Sequence, residues 1–122
     1  MPILDVEVVT APGELLEAGL ARRLAGIAGD ILGSEPGGTW VKVRALPSEQ
    51  YGENGDPQAD LRPVFVSVLM RQQPSEGTMK DQVERLSVAF AQACGRPREN
   101  VHILYQPGAA GRIAFGGKLV TG

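Results

Sequence analysis

The residue best placed to do chemistry is Pro2. The chain begins MPILDVEVV, and removal of Met1 turns Pro2 into an N-terminal secondary amine able to act as base, acid or nucleophile. A free α-amino group titrates at about 8, and burial in an apolar setting disfavours its charged form and lowers that value. A secondary amine brought near neutrality is a good general base. The same proline also suits the first position of a strand, because it offers no N–H and its φ is fixed. With Met1 in place its nitrogen is an amide, and only this second use remains. Pro63 follows Arg62, so its nitrogen is an amide and it reads as a strand opener. Other reactive groups are few. One His, His102, and one Cys, Cys94, cannot build a zinc site alone. The stretch GAAGRIAFGG neither joins a first strand to a helix nor carries Gly-Lys-Ser/Thr, so it is not a phosphate loop. Its Gly116 and Gly117 suit a tight turn or a close backbone approach.

The elements that must position Pro2 come in one pattern written twice. PILDVEVV alternates Leu4, Val6 and Val8 with Asp5 and Glu7, the period of a strand. From Glu14 to Leu32, apolar residues at Leu16, Leu20, Leu24, Ile27 and Ile31 follow helical spacing, which Gly33 and Pro36 end. TWVKVRAL alternates again. A polar link, PSEQYGENGDPQAD, follows. Then the order recurs: a strand PVFVSVLM, a helix through Met79, Val83, Leu86, Phe90 and Cys94 entered at Thr78, and a strand NVHILY ending at Tyr105. Pro2 and Pro63 are 61 residues apart, as are Pro36 and Pro97. The expectation is a single α+β domain, 1–122, with pseudo-repeats 1–61 and 62–122. Each β-α-β unit makes its two strands parallel. Two units side by side form a four-stranded mixed sheet with two helices on one face. The other face, read as apolar, then needs cover, which implies an oligomer.

Composition narrows the functions. The chain has 122 residues and a net charge of −2, with cations scattered along it, and this argues against a nucleic-acid or membrane-surface binder. No apolar run approaches the roughly 20 residues of a membrane span. The start lacks a basic segment followed by an apolar one, so no signal peptide is expected. The single cysteine excludes an intramolecular disulfide, and a reducing cytoplasm is the expected home.

A duplicated β-α-β unit of about 60 residues beginning Met-Pro-aliphatic, with the tail GRIAFGGKLV, resembles the tautomerase superfamily. That group includes 4-oxalocrotonate tautomerase and macrophage migration inhibitory factor. The resemblance spans the whole chain and implies a homotrimer, a pocket at each N-terminal proline, and neither metal nor organic cofactor. It implies Pro2 as general acid/base on a small 2-keto or enol carboxylate. It also suggests the groups that bind substrate. Lys42 corresponds by order to a substrate-binding arginine, and His102 is its repeat partner. Arg71 looks like the first arginine of a dehalogenase substrate loop. Arg112 and Phe115 lie in the tail that closes a neighbouring subunit's pocket. Each has an alternative: Lys42 as a solvated strand residue, His102 as a hydrogen-bonded structural histidine, Arg71 as a surface arginine, Phe115 as interface packing. The loop's second arginine is replaced by Pro74, a decarboxylase's aspartate by Gly38, and a dehalogenase's glutamate by Ala114. The macrophage factor's pocket lysine falls near Ser34. These departures favour keto–enol tautomerisation. The rival readings are hydratase or dehalogenase chemistry with protonated Pro2, and a non-catalytic trimeric ligand-binding protein.

Overall fold

The computed structural model describes residues 1–55 and 62–122. Residues 56–61, which include the last part of the polar link and the expected repeat boundary, lie outside the described residues. Four strands, β1 (Ile3–Thr10), β2 (Trp40–Pro47), β3 (Val64–Leu69) and β4 (Val101–Tyr105), form one sheet in the order β2-β1-β3-β4. β1 pairs parallel with β2, and β3 parallel with β4; the central pair β1–β3 is antiparallel. Helices α1 (Leu20–Leu32) and α2 (Glu76–Cys94) supply the two crossovers and pack together over one face. A two-stranded hairpin, β5 (Ala114–Phe115) and β6 (Lys118–Leu119), closes the chain. Its turn residues Gly116 and Gly117 have φ of 58° and 87°. Two successive left-handed residues are what a tight primed turn demands.

Strand alternation sets the core. Leu4, Val6 and Val8 of β1 and Val64, Val66 and Val68 of β3 are buried beneath Leu20, Leu24, Leu86 and Phe90. Each such aliphatic side chain contributes roughly 1.5–3 kcal/mol through removal from water. The opposite face is less apolar than the surface expected from sequence. Across β1 and β2 it carries two ion-pair rungs, Asp5–Lys42 at 3.1 Å and Glu7–Arg44 at 3.8 Å. Phe65 and Leu104 supply exposed apolar surface on the β3–β4 half. The face is therefore half charged and half apolar.

Both helices start elsewhere than their periodicity suggests. α1 begins at Leu20, because Gly19 at φ 88° breaks the helical path. Leu16 still packs against the core, which explains why the spacing reads as helical from Glu14. α2 begins two residues before Thr78, at Glu76: Ser75 is its N-cap, and its hydroxyl accepts from the Thr78 N–H at 3.2 Å.

Glu14, left outside α1, anchors a partly buried ionic cluster. Its Oε1 accepts from the Ala11 N–H at 2.9 Å and from Arg62 at 3.1 Å, and both its oxygens accept from Arg96. Arg96, with a side chain only 3% exposed, also donates to the carbonyls of Arg62, Cys94 and Val9. The cluster ties together the start of β3, the end of β1 and the turn after α2. Burial by itself raises the Glu14 carboxyl; the Ala11 amide, Arg96 and Arg62 outweigh it and hold the group below its ordinary value. A depressed folded-state value adds stability above the ordinary glutamate range and loses it as pH falls through the depressed value. Arg96→Met is expected to cost about 3 kcal/mol, because it leaves Glu14 half-paired. Glu14→Gln should flatten the acid-side fall in stability. Urea unfolding at a series of pH values checks both, and equal acid slopes in parent and Glu14→Gln would contradict the assignment.

Candidate functional site

Pro2 opens β1 and is fully buried. Its ring falls in phase with Leu4 and Val6, so it belongs to the helix-covered side of the sheet. Its carbonyl accepts from the Trp40 N–H at 3.0 Å. Ile3 pairs with Trp40 on one side and Leu69 on the other. Continuing the antiparallel register places Met70 opposite Pro2 and Arg71 opposite Met1. Met1 itself is half-buried, and its peptide bond makes the Pro2 nitrogen an amide in this chain.

The segment after β4 crosses this end of the sheet. Gln106 N–H donates to the Val68 carbonyl, Ala109 N–H to Met70 and Ala110 N–H to Arg71, at 2.8 to 3.0 Å. Gly108 passes so close that a Cβ there would sit 2.9 Å from the Arg71 carbonyl oxygen. Beyond it the hairpin is held by Gly111 to Val120 and Val120 to Ile113 backbone bonds. Phe115 then meets Trp40 edge-to-face, with ring centroids 5.3 Å apart. The tail thus starts at one edge strand, β4, and ends against the other, β2. On the way it passes Arg71 and the entrance to β1.

The candidate residues divide into two groups. Arg71, Arg112 and Phe115 gather at the Pro2 end. The Arg71 side chain is exposed, while its backbone is fixed by the Ala110 bond. Arg112 is exposed, and its guanidinium donates to the carbonyls of Pro107 and Gly108, bracing the crossing loop. Lys42 and His102 lie on the open face, in the phase opposite to Pro2. Lys42 pairs with Asp5. His102 is exposed, with its ring 5.5 Å from that of Phe65, and lines a cleft of about 270 Å³ with Asp5, Glu7, Arg44, Ser67 and Leu104. Pro2 and this pair therefore face opposite sides of one sheet. A single copy does not bring them together.

Sequence reasoning missed Asp5 and Trp40 at the site. The signal for Asp5 was present: two acids on β1 and two bases on β2, each set at alternate positions, match once the parallel register is known. Tyr105, at the end of β4, is partly buried against the core. Its hydroxyl donates to Gln82 Oε1, and burial pushes it up to about 12. Tyr51 is also raised, first by its bond to Glu53. The Cys94 thiol is pushed up by burial, against the pull of Arg96 and Arg23.

No family model matches the chain, and no curated protein matches it. Solved structures do. Macrophage migration inhibitory factor from Oncomelania hupensis aligns over 98% of this chain and 82% of its own, with a TM-score of 0.76 at 18% identity. The asymmetric trimer of the fused 4-oxalocrotonate tautomerase F6 aligns over 94% of each chain, with a TM-score of 0.75 at 17% identity. Pt0534 inactivated by 2-oxo-3-pentynoate aligns over 97% of this chain and 94% of its own, with a TM-score of 0.74 at 18% identity. The chain has the fold shared by the tautomerases and macrophage migration inhibitory factor. Among the described residues, no helix is long and apolar enough to cross a membrane.

Two measurements check this geometry. Gly108→Ala should displace the Arg71 loop and cost about 1–3 kcal/mol by overpacking; a change in the unfolding midpoint reads it. Alkaline absorbance titration should show Tyr105 ionising only near pH 12, and that late step should vanish in Tyr105→Phe.

Proposed function

We propose that this protein is a cofactor-independent tautomerase or isomerase of a small 2-keto or enol carboxylate, with Pro2, freed by loss of Met1, as its acid and base. The observation that carries this reading is the burial of Pro2 at the start of β1, beside the Arg71 loop and under the crossing tail. An amine in that setting is poorly hydrated, and its protonated form is disfavoured. The nitrogen takes a proton from the enol hydroxyl and returns it to a carbon of the same molecule, so nothing is consumed. Arg71 holds the substrate carboxylate at the Pro2 end and stabilises the enolate as charge develops. Phe115 walls the pocket, and Arg112 braces it through the loop carbonyls. Lys42 and His102, presented from the open face of a neighbouring copy, are further contacts for the substrate carboxylate.

The protein is further proposed to act as a homotrimer of single-domain chains. Two fused 4-oxalocrotonate tautomerases of like fold are described as trimers, one asymmetric and one symmetric. The half-apolar open face and the separation of Lys42 and His102 from their own Pro2 support assembly: a neighbouring copy can supply what one copy keeps apart. A second reading rests on Met1. While Met1 acylates the Pro2 nitrogen the base is missing, and the chain serves as a ligand-binding trimer.

Intact mass of the protein from its native cell decides between them: loss of one methionine residue supports the enzyme, and a retained Met1 supports the binder. With Met1 gone, ketonisation of phenylenolpyruvate should be catalysed. Pro2→Ala should lose about 10²- to 10⁴-fold in kcat/KM. The rate should rise with pH through the amine's value, because the base works unprotonated. Treatment with 2-oxo-3-pentynoate should leave an adduct on Pro2 in the peptide map. A Pro2→Ala variant as active as the parent overturns the assignment.

A further inference from the structure

The proposed role of Lys42 as a carboxylate contact meets a feature of this chain: Lys42 already has an acid. Its Nζ lies 3.1 Å from Asp5 Oδ1, and the two residues are direct partners in the β1–β2 register. Asp5 Oδ1 is shielded from solvent and has no hydrogen bond; the ammonium is close, but off the angle such a bond needs. Lys42 is 65% exposed at its side chain, and Asp5 41%. An ammonium has three donors. Lys42 can therefore keep Asp5 and still donate to an incoming carboxylate. That carboxylate meets a nearly neutral pair instead of a bare cation. A second carboxylate on the same ligand gains nothing further from Lys42 and is repelled by Asp5. Both residues sit on adjoining strands of one chain, so Asp5 accompanies Lys42 to the Pro2 end of a neighbouring copy.

The geometry points to Asp5 as a specificity-determining residue, acting through Lys42 to admit monocarboxylates and turn away dicarboxylates. The inference rests on the reading of Lys42 given under the proposed function. Glu7 and Arg44 repeat the rung at 3.8 Å, two residues further along the strands from Pro2. They provide a control with the same change in net charge.

Fumarate and crotonate test it, because they are similar in shape, unreactive here, and differ by one charge. Calorimetric titration of the Met1-processed protein should show the parent binding crotonate at least as tightly as fumarate. Asp5→Asn should shift the fumarate-to-crotonate preference toward fumarate by about fivefold, the scale of an exposed ion pair. The shift should shrink in about 0.5 M salt. Glu7→Gln should move the preference less than twofold. Lys42→Met with Asp5→Asn should erase the gain. A merely structural role for Asp5 would weaken both acids alike and leave their ratio untouched. An Asp5→Asn ratio within twofold of the parent, or binding of neither acid to either protein, overturns the inference. Neither result bears on Pro2, whose role stands or falls with the rate of Pro2→Ala.

Discussion

The structure depends on one constraint: the antiparallel pairing of β1 and β3 in a register that buries every second residue of both. Leu4 faces Val68, Val6 faces Val66 and Val8 faces Val64, all under the two helices. A slip of one residue would send the slipped strand's buried set to the other side, and in β1 it would bring Asp5 and Glu7 into the core. The parallel outer strands add to that pair, and the crossovers leave both helices on one face. Which residues sit at each end of the sheet, and which face they present, follows from this register.

The two prolines that open β1 and β3 consequently sit at opposite ends of the sheet. Val9 N–H donates to the Pro63 carbonyl at one end, and Trp40 N–H to the Pro2 carbonyl at the other. The Pro63 end is sealed by Arg96, Glu14 and Arg62. The Pro2 end is bounded by backbone from the tail and by the Trp40–Phe115 contact. One end is thus held shut by charge. The other is bounded by the buried ring of Pro2, the Trp40–Phe115 pair and the Arg71 loop.

Much of the architecture was legible because strand and helix periods are strong local signals. The four strands, both helices and the Gly116–Gly117 turn all follow from spacing and from residues with special backbone freedom. The helix starts did not, since Gly19 and Ser75 act through local dihedrals and a single capping bond, which apolar spacing does not encode. The charged half of the open face was missed for a related reason. Asp5 and Glu7 fall in the phase opposite Leu4, Val6 and Val8, but their partners lie some 37 residues away in sequence and become visible only through register. Glu14 was absorbed into a helix it does not join, and Arg96 carried no local signal at all. At the site, Pro2 could be picked out by its place in the chain. Whether Lys42 and His102 share its side of the sheet could be settled only by counting alternation against the core.

Arg96 reaches Val9 across 87 positions of sequence and Glu14 across 82. Such contacts close only after both halves of the chain have found each other, and long-range closure comes late in folding. Bonds absent from the transition state set how fast a native protein comes apart, with little influence on how fast it forms. The guanidinium is thus expected to work as a latch. It adds lifetime to the assembled sheet and, with it, to the proline end some distance away, which among the described residues has no comparable ionic clasp of its own.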